Sequence, residues 1–178
     1  MKKVKHYKAF ISYSWTSSEH EKWVLELANQ LVKNGVDAIL DKWNLNPGND
    51  KYTFMESMVL DKEIDRVLII CEHGYKTKAD NRIGGVGTEV QIITPELYSK
   101  VDQNKFIPII AEKGEHLDSF MPVFLKSRLG IDMSSPEVYE KGFEELLRLI
   151  INRPYYTKPS VGKLPEFLLG NDTQTKNN

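Results

Sequence analysis

Short apolar runs that alternate with amphipathic stretches predict an α/β domain built on a doubly wound, five-stranded parallel sheet of flavodoxin-like type. Three observations carry that expectation. Val67-Leu68-Ile69-Ile70-Cys71 is continuously apolar, as a central parallel strand covered on both faces must be. Val24, Leu27, Ala28 and Leu31 follow the i, i+3, i+4, i+7 rule of a helix with one buried face. Residues 136–152 place Tyr139, Phe143, Leu146, Leu147, Ile150 and Ile151 on one stripe, which makes a closing helix.

The elements follow in chain order. Residues 7–12 read as a first buried strand, running into a loop of hydroxyls and aromatics, Ser12-Tyr13-Ser14-Trp15-Thr16-Ser17-Ser18, that can hold a polar, ring-bearing ligand. Hydroxyl caps followed by Glu19 and Glu21 start a helix over residues 18–34, and Gly35 is placed to stop it. A second strand is expected over 36–40, a loop with Pro47-Gly48 over 41–50, and a helix over 51–62 burying Phe54, Met55, Met58 and Val59. The third strand, 66–71, leads into a long polar loop over 72–87 and a helix over 88–100 interrupted or bent near Pro95. Residues 106–111 form a fourth strand, which Pro108 assigns toward an edge, and 129–133 a short fifth. The expected strand order is 2-1-3-4-5. One domain is expected over residues 1–153, followed by an extended tail over 154–178 whose end lacks the composition to fold.

Composition narrows the function. The 178 residues are 40% hydrophobic, enough for one core but not for two full domains. Lys and Arg total 24 against 25 Asp and Glu, so no global field holds a polyanion, and nucleic acid is disfavoured as a direct partner. The cluster Lys2, Lys3, Lys5 and Lys8 has the simpler reading of a solvated chain start. A single cysteine, Cys71, excludes a disulfide scaffold and points to a reducing compartment. No apolar run approaches the about 20 residues of a membrane span, and the start lacks a signal-peptide core, so a cytoplasmic location without membrane contact is expected. His6, His20, His73 and His116 lack ligand-like spacing, and no metal or cofactor is expected.

The strand ends discriminate among functions of parallel α/β domains. A phosphoacceptor receiver needs carboxylates after its first strand and an Asp ending its third, where this chain has Ser12-Tyr13-Ser14 and Cys71-Glu72. A flavin-phosphate loop needs a glycine that residues 14–18 do not supply. Gly85-Val86-Gly87 does not follow a first strand and lacks the closing glycine at Val90, which disfavours a dinucleotide fingerprint.

Three ordered segments resemble the Toll/interleukin-1 receptor (TIR) family. Lys8-Ala9-Phe10-Ile11-Ser12-Tyr13-Ser14 is similar to its first box. Ile39-Leu40-Asp41-Lys42-Trp43-Asn44-Leu45-Asn46-Pro47-Gly48 is similar to its second, with the BB loop. The Asp-x-Trp form of that loop, and Gly84-Gly85-Val86-Gly87-Thr88-Glu89, resemble the SEFIR-like branch common in bacteria. The resemblance spans about residues 5–152, and a Phe-Trp third box is absent.

The resemblance implies one of two roles: a module for homotypic contacts with other TIR domains, or an enzyme that takes NAD as substrate and cleaves its nicotinamide-ribose bond. In the second role one glutamate on the helix after the third strand is catalytic, and the match places it at Glu89. Hydrolysis would yield ADP-ribose and cyclisation a cyclic ADP-ribose, in bacteria often in anti-phage defence. The chemistry agrees, because a carboxylate stabilises oxocarbenium charge on the ribose while nicotinamide, already cationic, departs without a general acid. An acidic residue at a helix start is also favoured by the helix dipole alone, so Glu89 has a purely structural reading too. Tyr13, Ser14, Trp15, Asp41 and Trp43 are the expected substrate-binding residues, with the tryptophans stacking on a ring or capping the core, Ser14 and Asp41 bonding ribose or phosphate, and Phe10 assigned to the core.

Overall fold

The computed structural model describes residues 5–81 and 92–170. Strands β1 (Tyr7–Ser12), β2 (Val36–Ile39), β3 (Arg66–Cys71), β4 (Phe106–Ile110) and β5 (Ile131–Asp132) form one sheet in the order β2-β1-β3-β4-β5, every pair parallel. This is the doubly wound arrangement expected from the sequence. Between the strands run α1 (Ser18–Lys33), α2 (Asp41–Asn44), α3 (Lys51–Leu60), α4 (His73–Asp80) and α5 (Pro95–Ser99), with α6 (Pro136–Ile150) and α7 (Glu166–Leu169) after the last strand.

Because side chains alternate across a strand, each apolar run feeds two cores. Ala9 and Ile11 of β1, Leu68 and Ile70 of β3, and Ile107 and Ile109 of β4 meet Val24, Leu27, Ala28 and Leu31 of α1 and Phe143, Leu146 and Ile150 of α6. Phe10, Val67, Ile69, Cys71, Phe106 and Ile110 face the other way, onto Met55 and Val59 of α3, Tyr75 and Ala79 of α4, and Leu97 and Tyr98 of α5. Helix α1 begins where Ser17 Oγ accepts from His20 N at 3.1 Å, and ends at Gly35, whose φ of +88° is open to glycine without strain.

Three details differ from the sequence expectations. Within the described part of the polar stretch after β3, residues 73–80 form helix α4 rather than loop. The Glu72 side chain caps it by accepting from Gly74 N and Tyr75 N, and Tyr75 and Ala79 bury one face against the sheet. The loop over 41–50 opens with the helical turn α2, closed by Asn44 Oδ1 accepting from Leu40 N at 3.2 Å. Strand β4 lies toward an edge as expected, second from it, and Pro108 is tolerated because β5 pairs only with Ile109 and Ile110. Within the described part of the helix expected over 88–100, residues 92–94 are not helical and α5 starts at Pro95, an interruption there rather than a bend, with Thr94 Oγ1 accepting from Leu97 N at 3.0 Å. Residues 152–170 after α6 are exposed and carry α7, while Tyr155 keeps its ring 4.1 Å from the Arg148 guanidinium. Among the described residues no helix is long and apolar enough to cross a membrane.

Candidate functional site at the carboxyl rim of the sheet

Parallel strands deliver their following residues to one rim, where α/β folds bind ligands. Here Tyr13 to Thr16 follow β1, Leu40 and Asp41 follow β2, Glu72 and His73 follow β3, and Glu112 stands two residues beyond β4. Helices α1 and α4 begin at the same rim.

Tyr13, Trp15 and Asp41 form one unit. The buried Tyr13 hydroxyl donates to Asp41 Oδ1 at 2.7 Å, and Trp15 Nε1 donates to Asp41 Oδ2 at 3.1 Å. Burial, and the bond to the Asp41 carboxylate, hold the Tyr13 phenol far above its ordinary range, so it acts as a fixed donor. Lys51 Nζ sits 4.1 Å from the centre of the Trp15 ring. One carboxylate and one cation thereby tie the loop after β1 to the starts of α2 and α3. Trp15 and Trp43 stay 37% and 42% exposed, so both rings present surface to solvent.

Ser14 belongs to a second unit. Lys78 Nζ donates to Ser14 Oγ at 2.7 Å, Ser14 Oγ lies 3.0 Å from the Thr16 hydroxyl, and that hydroxyl lies 2.9 Å from Glu72 Oε1. Since a hydroxyl has one proton, donation runs in one consistent direction: Lys78 to Ser14, Ser14 to Thr16, Thr16 to Glu72. The Glu72 carboxyl group is buried and also accepts from Gly74 N at 2.9 Å and Tyr75 N at 2.6 Å. A Cβ at Gly74 would strike the Thr16 side chain, so only glycine lets α4 approach this network.

Beside it, His73 Nδ1 lies 2.8 Å from Glu112 Oε2 and 3.5 Å from Glu72 Oε2. The bond to Glu112 raises the His73 pKa above its usual value, whereas burial lowers that of His20 on the neighbouring α1. Tyr75 closes the rim from the other face, its hydroxyl 2.9 Å from Ser12 Oγ and accepting from Ile93 N at 3.0 Å. Burial pushes the Cys71 thiol well up, which leaves it a core residue.

Of the six sequence-derived site residues, the structure brings together Tyr13, Trp15 and Asp41 by direct bonds, and places Ser14 in the adjacent hydrogen-bond network and Trp43 on α2. Glu89, with Gly84 to Thr88, lies outside the described residues. Thr16, Glu72, His73, Lys78 and Glu112 were not singled out, because their partners stand tens of positions away; only the acidic Glu72 directly after a buried strand was a local signal.

A family model of the SEFIR domain matches residues 7–135. The chain belongs to the SEFIR family. The crystal structure of a prokaryotic SEFIR domain is similar at 46% identity and a TM-score of 0.73, over 87% of this chain and 99% of that one. The TIR domain of the Toll-related receptor TRR-2 from Hydra magnipapillata matches at 17% identity and a TM-score of 0.58, over 81% and 98% of the two chains. The TIR domains of the activated Roq1 resistosome directly recognizing the effector XopQ match at 15% identity and a TM-score of 0.51, over 80% and 98%. These last two share the fold, so this SEFIR domain is built on the TIR architecture. A comparison with curated proteins gives no match.

Proposed function

We propose that this SEFIR domain works by homotypic assembly, with the aromatic face around α2 as a contact surface. The observation that carries the reading is the exposure of Trp43 and Trp15 on a framework fixed by Asp41 and Lys51. Exposed aromatics on a pre-organised support bind with little ordering cost, and aromatic rings dominate interface hot spots. Tyr52, at the start of α3, adds a third exposed ring, and Gly48 at φ +93° lets the loop over 45–50 turn beside them. A net charge of -1 offers little long-range repulsion between copies. Trp43→Ala is expected to weaken self-association about tenfold or more, as for a hot-spot ring, while moving the melting temperature little. Light scattering across a dilution series, with thermal melts in parallel, reads both; unchanged association in that variant overturns the assignment of this face.

A second reading, NAD cleavage within the assembly, is supported by the position of Trp15 on the loop after β1 and of Trp43 on α2 after β2, at the carboxyl rim of the sheet, where their rings can take a nucleobase or nicotinamide. In it Glu89 stabilises the ribose cation as nicotinamide leaves, and water or a substrate nitrogen then closes on C1 to give ADP-ribose or its cyclic form. Tyr13, Ser14 and Asp41 are spent on internal bonds, so their part is to hold the tryptophans and the rim in place. The biological role consistent with this reading is anti-phage defence in bacteria. Glu89→Gln is expected to abolish nicotinamide release and leave assembly intact. Chromatography of NAD incubated with parent and variant checks this: release that persists in the variant removes Glu89 from the reaction, and none from the assembled parent removes the second reading alone.

A further inference from the structure

We propose that Glu72, His73 and Glu112 form a binding site for a divalent transition-metal ion with zinc-type donors, at the carboxyl rim between β3 and β4. Their donor atoms all lie within 4.8 Å of one another. Tetrahedral zinc with nitrogen and oxygen bonds of about 2.0–2.1 Å sets its donors about 3.3 Å apart. The two separations from His73 Nδ1, 2.8 Å to Glu112 and 3.5 Å to Glu72, bracket that value.

The frame is pre-organised. Ala111 N donates to Cys71 O at 3.0 Å, which pins the end of β4 beside the end of β3 one residue short of both carboxyl groups. Glu72 is oriented by Gly74 N, Tyr75 N and the Thr16 hydroxyl, the kind of outer support that fixes a ligating carboxylate. His73 and Glu112 remain 58% and 41% exposed at the side chain, which gives an ion a path in and lets Glu112 adjust. Two carboxylates balance a doubly charged ion, and the imidazole favours zinc over calcium or magnesium.

His20 stands on the neighbouring α1. Its Nε2 is fully buried and has no hydrogen-bond partner among the described residues. Burial lowers the pKa of this imidazole, against the charges of Glu72, Glu112 and Glu21. A buried nitrogen with no protein partner is satisfied by a protic neighbour, such as a water bound to an ion.

The full chain, stripped by chelator and dialysed, is to be titrated with zinc chloride by calorimetry against a chromophoric competitor. One equivalent is expected to bind, with His73→Asn and Glu112→Gln each weakening affinity by about tenfold or more. His6→Asn and His116→Asn serve as surface controls and are expected to bind as the parent does. At a hundredfold excess over Kd the parent is expected to melt about 5 °C higher or more, and Glu112→Gln, whose side chain is exposed and whose fold is therefore retained, to gain little. Absence of binding at millimolar zinc, unchanged affinity in Glu112→Gln, or loss of binding only in the His6 or His116 control overturns the site.

Discussion

Gly142→Val is expected to lower stability by about 3 kcal/mol, seen as a fall in melting temperature of about 6–12 °C for a chain of this length. Gly142 lies inside α6, where glycine is ordinarily the poorer choice by about 1 kcal/mol against alanine. The packing reverses that preference. A Cβ there would stand 2.6 Å from the backbone oxygen of Asp132 and 2.7 Å from Met133 Cγ, and the first of these neighbours is backbone that no rotamer change can move. Helix α6 would have to lift from β5, whose two residues are held to the sheet only by Ile109 and Ile110. Gly142→Ala is expected to show a smaller loss, since propensity offsets part of the clash. A melting temperature within about 2 °C of the parent for the valine variant, a shift worth about 1 kcal/mol or less, would show that α6 and β5 yield without cost.

The same contrast between local preference and packing explains which elements were legible in the sequence. Residues 67–71 and the stripe of α1 declare themselves because each is long and has one unbroken apolar pattern. Helix α4 does not, since only Tyr75 and Ala79 of its eight residues bury apolar side chains, and a glycine stands at its second position. Its existence depends on Glu72 capping it and on the sheet receiving Tyr75, and neither is visible locally. Pro108 is legible because a proline forbids a ladder bond only where a neighbour needs one, and β5, too short to reach it, leaves β4 second from the edge. The candidate site divides likewise. The rim itself, and the loops that carry Trp15 and Trp43, follow from strand order and could be placed in advance. The pairings on that rim, Tyr13 with Asp41 and Ser14 with Lys78, join residues 28 and 64 positions apart, and only the parallel crossovers bring them together. A hydroxyl or carboxylate read from sequence as a ligand contact is here a structural bond, which changes what its replacement should do.

Asp41 supplies the sharpest case of that change. Asp41→Ala is expected to cost about 2–4 kcal/mol, because it strips a charged acceptor from a fully buried phenol and from an indole N–H at once. Removing the carboxylate also recovers part of its own desolvation, which keeps the loss below the sum of two charged hydrogen bonds. The decisive measurement is a double-mutant cycle with Tyr13→Phe, by urea denaturation of the four proteins. A coupling energy of about 1.5–3 kcal/mol is expected, the range for a hydrogen bond to a charged group. Self-association should fall in Asp41→Ala by more than the folded fraction does, since Trp15 loses its anchor and α2 loses the acidic first residue that suits its positive end. Tyr13→Phe removes only the buried bond and leaves Trp15 held, so its association should follow its stability alone. Coupling below about 0.5 kcal/mol, the limit expected of independent sites, would mean that the two side chains do not share a bond in solution, and the framework assigned to the tryptophan face would fail with it.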